Sequence, residues 1–71
     1  MEFSVVQTSG GIRNEIGEMS EMQVYAHVRT RLGNDMDAAE NVLIELEEKG
    51  AATVLFNDSF GAHNRIEIRR I

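Results

Sequence analysis

The side chains of this sequence that could move a proton, hold a metal or grip an anion are two histidines, twelve carboxylates and seven cations. His27 and His63 stand alone. Neither has a second ligand at the spacing a metal site needs, and neither sits with a serine and an aspartate as a nucleophilic triad would require. The carboxylates are plentiful, but their spacing implies no cleft in which burial could turn one of a pair into an acid or base. Gly10-Gly11 lacks the further glycines, the lysine and the following Ser or Thr of a phosphate loop, and suits a tight turn instead. Without cysteine there is no thiolate nucleophile, disulfide or thiolate metal site. The sequence offers no catalytic residue, no cofactor-binding residue and no metal ligand, so the expectation is a chain that is not an enzyme.

Two charged groupings remain. Residues 34–48 hold Asp35, Asp37, Glu40, Glu45, Glu47 and Glu48 and no Lys or Arg. At about 100° per residue on a helix, Ala39, Val42, Leu43 and Leu46 point to one side. Asp37, Asn41, Ile44 and Glu48 point to the other, and Glu40, Glu45 and Glu47 lie on the flanks. This puts Ile44 near the middle of an acidic face, as an apolar anchor among carboxylates at a protein interface would be; a lone exposed Ile is otherwise ordinary. The second grouping is Arg65, Arg69 and Arg70 in the last strand, with Arg13 as a potential neighbour. They can contact an anion or DNA, or pair with Glu2 and Glu67. Phe60, between Ser59 and Gly61, either folds back on the core or stands out to meet a partner.

The elements that must position these groups follow from periodicity and caps. Residues 2–9 are rich in β-formers, and Gly10-Gly11 can turn the chain back. Residues 12–18 suit a short strand or a loop. Ser20 and Gln23 form a capping box, with Met19 and Val24 at the staple positions; Tyr25, Val28 and Leu32 continue with helical spacing to Gly33. Asn34 or Asp35 can cap a second helix, in which Glu45 and Lys49 make a favourable i,i+4 pair, and Gly50 ends it. Residues 52–56 read as a strand and 57–64 as a turn-rich loop. In residues 65–69, Ile66 and Ile68 alternate with charges, the pattern of a half-buried strand.

Seventy-one residues leave room for one domain, residues 1–71. A domain this small buries only about 60% of the surface its unfolded chain exposes, so a dedicated ligand cavity would consume much of its core. An apolar share of 42% suits a globular fold. Small secreted domains usually need disulfide staples. Their absence, with no signal peptide and no membrane-length apolar run, gives the expectation of a cytoplasmic protein without membrane attachment. The net charge of −5 opposes binding to polyphosphate.

From Arg31 onward the chain resembles the second half of a winged helix-turn-helix domain. The run Arg31-Leu32-Gly33, a short turn, then Asn41-Val-Leu-Ile-Glu-Leu-Glu-Glu-Lys-Gly50 and a two-stranded wing carries the likeness, over residues 22–71. The family's first helix has no counterpart, and a strand stands in its place. The resemblance implies an α+β, winged-helix-like fold: strand, helix, helix, hairpin, with a small antiparallel sheet. It also implies that the second helix is a recognition helix. A DNA-reading helix should offer Arg, Lys, Asn or Gln to phosphates and base edges, whereas this one offers carboxylates.

The function expected is therefore a non-catalytic regulator or inhibitor that binds a protein with a basic surface, in the manner of DNA mimics and anti-CRISPR proteins of phages and mobile elements. The binding residues would be Asp37, Glu40, Asn41, Ile44, Glu45, Glu48 and Phe60. The alternative is a winged-helix DNA-binding transcriptional regulator, acting as a homodimer through Arg65, Arg69 and Arg70.

Overall fold

The computed structural model describes residues 2–58 and 60–71; Ser59, in the turn-rich loop, lies outside the described residues. The elements run β1 (Glu2–Ser9), β2 (Ile12–Ser20), α1 (Glu21–Arg31), α2 (Met36–Lys49), β3 (Ala51–Asn57) and β4 (His63–Arg70). The fold is α+β, with both helices on one face of a four-stranded antiparallel sheet of order β2-β1-β4-β3.

Residues 12–18, ambiguous in the sequence, belong to a strand. Gly10 and Gly11 take φ of 57° and 83°, conformations that favour glycine, and fold β2 back along β1. The ladder is interrupted once. Val5 faces Gly17 and Val6 faces Glu15, so Ile16 is an extra residue in a bulge, where Gly17 takes φ 115°. β2 is an edge strand exposed along almost its whole length, and only its last two residues, Met19 and Ser20, are partly buried.

Ser20 then starts α1 with both bonds of the capping box: Gln23 N–H donates to its hydroxyl, and its own N–H donates to the Gln23 side-chain oxygen. The helix ends at Leu32. Gly33 is left-handed, and the Asn34 N–H donates to the Arg29 carbonyl at 2.8 Å, a Schellman closure. Asp35 caps α2 by accepting from Ala38 N–H, and left-handed Gly50 returns its N–H to the Leu46 carbonyl.

Alternation along the strands gives the sheet a covered and an open face. Phe3 and Val5 of β1, Ile66 and Ile68 of β4, and Ala52 and Val54 of β3 are buried with Val24, Val28, Ala39 and Leu46 of the helices in one core. Met19, Tyr25, Leu32, Val42, Leu43 and Phe56 pack around it. Asn64 shares the covered face with Ile66 and Ile68; its side-chain amide donates to the Ala62 carbonyl at 3.0 Å, which offsets part of the cost of burying it. α1 lies toward β1 and β2, and α2 toward β3 and β4. The helical pair thus carries the chain across the sheet from one edge to the other.

Candidate protein-binding surface

The core fixes which way α2 is turned. Ala39 and Leu46 are fully buried and Val42 and Leu43 are partly buried, so the opposite side faces solvent. Asp37, Glu40, Asn41 and Glu48 are exposed there. Ile44 is 51% exposed between them. Glu45 is half-buried on the flank and pairs with Lys49 at 4.0 Å. Both ends of the helix are closed, by Asp35 and by Gly50. Beyond its caps, the Arg70 guanidinium donates to the carbonyls of Leu46 and Glu47 at 2.9 and 3.1 Å. It places a cation where the helix dipole is negative.

Phe60 points into solvent, 94% exposed. Its loop is held from within by Asp58, whose carboxylate accepts the N–H groups of Phe60 at 2.9 Å and Ala62 at 3.0 Å. The Gly61 N–H returns to the Asp58 carbonyl, and the Asp58 N–H donates to the Ala62 carbonyl. The bonds from Ala62 and Phe60, and then one from the Asn64 side chain, hold the Asp58 carboxyl below its ordinary range. The ring is thus presented on a tied backbone.

These residues do not form one patch. β3 runs back along α2, and a 14-residue helix and a 7-residue strand are both about 20 Å long. The Phe60 loop therefore lies at the end where α2 begins, near the level of Asp37. Glu48 is at the far end, with Ile44 between.

The arginines separate as well. Arg65 and Arg69 are on the open face, whereas Arg70 reaches the helix side as a cap. Arg13 does join Arg65: both lie opposite Thr8, one on each side. Arg65 is bound to Glu67 at 2.9 Å, and Arg13 lies 4.0 Å from Glu15. Strand pairing brings Glu18 and Glu2 to the same face. Three arginines there meet four carboxylates, and no continuous positive groove forms among the described residues.

Neither histidine gathers partners. His27 is half-buried in α1, and burial, aided by the nearby Arg31 charge, lowers its pKa. His63 is exposed. Among the described residues no group of three His, Asp or Glu is placed to hold a metal ion, and no helix is long and apolar enough to cross a membrane. A cleft of about 200 Å³ between the start of α1 and the end of α2 is lined by Phe3, Glu21, Leu43, Glu47 and Arg70. It is smaller than the roughly 300–1,000 Å³ of small-molecule sites, whereas a second hollow of about 380 Å³, lined by Leu55, Phe56, Asn57, His63 and Asn64, falls at the low end of that range.

Two contributors escaped the sequence reading. Arg70 as a helix cap depends on a contact across 24 positions, and no local signal carries it. Asp58 did leave a signal, an aspartate opening a turn-rich loop, which is the setting for side-chain bonds to the backbone two residues on. Comparison with protein-family models, curated proteins and solved structures finds no match to this chain.

Proposed function

We propose that this chain is a non-catalytic regulator or inhibitor that binds a protein with a basic surface through the outward face of α2, with the Phe60 loop as a second contact. The observation that carries this reading is Ile44, half exposed on a doubly capped helix with Asp37, Glu40, Asn41 and Glu48 around it. An apolar group ringed by carboxylates suits a partner that brings a small apolar pocket rimmed by Lys or Arg: the charges steer the encounter and the pocket supplies the affinity. Rows of carboxylates on a small rigid scaffold can also stand in for phosphates. That fits an inhibitor of nucleic-acid-binding machinery in the DNA-mimic style of anti-CRISPR proteins, with a phage or mobile element as its source and the cytoplasm as its place of action.

The order of α1, a short turn, α2 and the β3–β4 hairpin supports the winged-helix-like reading of residues 22–71, with α2 in the place of a recognition helix. Arg65 and Arg69 on that hairpin, with Arg13 beside them, favour the second reading, a winged-helix DNA-binding regulator.

Affinity capture from host extract with mass spectrometry, repeated with Ile44→Asp and Glu48→Lys, tests the first reading. Both changes lie on the solvent side and should leave the fold intact while the captured protein is lost. Capture unchanged by either would remove α2 from the interface. Duplex DNA bound at physiological salt, and released steeply as salt is added, would establish the second reading.

A further inference from the structure

The two edges of the sheet are built differently. Edge strands invite pairing, and proteins blunt them with charges, bulges, prolines or covering segments. β2 is blunted twice: it bulges at Ile16, and it carries Arg13, Glu15 and Glu18. β3 has none of these. Its sequence, Ala-Ala-Thr-Val-Leu-Phe-Asn, is β-prone, and it pairs with β4 across all seven residues without a register shift. Its other side is the end of the sheet. Among the six elements β3 is the one without a charged side chain. It also carries Leu55, 72% exposed on the open face.

We propose that β3 pairs antiparallel with β3 of a second copy of this chain, joining two four-stranded sheets into one. Charge selects this edge for a contact between two copies. Each chain carries −5, so two copies repel through most of their surfaces. The neutral edge is where their backbones can meet without opposing like charges. Full overlap of Ala51–Asn57 puts the two-fold axis at Val54. Thr53 then faces Leu55 of the second copy, and the two Leu55 side chains approach diagonally across the axis. This covers the apolar group that the monomer leaves in water.

The register gives a charge-swap test. The intact chain should sediment at twice its 8.0 kDa at high micromolar concentration. Thr53 and Leu55 both point to solvent, so the double variant Thr53→Lys, Leu55→Lys should keep its far-UV spectrum. It places lysine opposite lysine twice and should sediment at the mass of one chain. The variant Thr53→Lys, Leu55→Glu places opposite charges in the same two positions and should restore the doubled mass. Ile44→Asp should leave the mass unchanged. The proposal is overturned if the intact chain stays at 8.0 kDa up to millimolar concentration. A double-lysine variant that remains a dimer, or a charge-swapped variant as monomeric as the double-lysine one, overturns it too.

Discussion

Single residues in this protein do their work at the ends of elements. Arg70 donates to two carbonyls at the negative end of α2, and its own N–H donates to the Gly50 carbonyl, so one residue ties the end of the last strand to the end of α2. Charge-assisted bonds of this kind contribute more than neutral ones. Arg70→Ala should lower stability by about 1–2 kcal/mol, read as a shift in the urea midpoint without a change in slope. Arg70→Lys should recover only part of it, since an ammonium lacks the planar fork. Asp58 does the same work for the Phe60 loop. Its folded pKa is depressed, so the folded state binds protons less readily than the unfolded one. The order it gives the loop is complete above the free aspartate value of about 3.9 and is lost as pH falls through the lower folded value. The amide signals of Phe60 and Ala62 should titrate together in that acid range, and Asp58→Asn should abolish the titration. Amides that stay fixed to the acid end would show the loop to be held by something else.

At the scale of elements, legibility in the sequence tracked burial and local caps. α2 is legible except for its first residue: Gly50 marks its end and its apolar spacing marks the side turned inward, whereas the cap, open in the sequence between Asn34 and Asp35, is Asp35. Ile66 and Ile68 likewise announced β4, because one of its faces is buried. β3 and β4 run slightly beyond their expected limits, since ladder pairing extends past the apolar pattern to Asn57 and His63. β2 gave no such pattern. It buries almost nothing, and its bulge shifts the register at Ile16, so neither alternation nor helical spacing could appear. Arg65, Arg69 and Arg70 were grouped by their nearness in sequence, yet strand alternation sends the last to the opposite face from the other two. The orientation of α2 has a direct test. Leu46 is fully buried among both helices and the sheet, and Leu46→Ala should cost about 2–5 kcal/mol through lost burial and the cavity left behind. The melting temperature should fall accordingly, whereas Ile44→Ala, on the exposed side, should barely move it. Equal losses at the two positions would mean that the helix is turned differently.

The whole molecule carries −5, and that charge acts in opposite directions on the two associations proposed for it. The proposed basic partner would be drawn to α2 by its exposed carboxylates. Salt shortens the screening length from about 10 Å at 0.1 M to about 3 Å at 1 M, so the partner's association rate should fall as salt is raised, with a smaller effect on dissociation. The β3 edge presents no charge, so its backbone and apolar contacts are little affected by salt. What opposes a second copy is repulsion between two like-charged bodies, and salt relieves it. The dimer should therefore tighten over the same range in which the partner's association slows. Sedimentation equilibrium for the dimer and stopped-flow mixing for the partner, on one salt series, measure both. A dimer that dissociates as salt rises must be held by ion pairs. It would then have to use the charged open face or α2 rather than the neutral strand, and the charge-swap variants at Thr53 and Leu55 would leave it untouched.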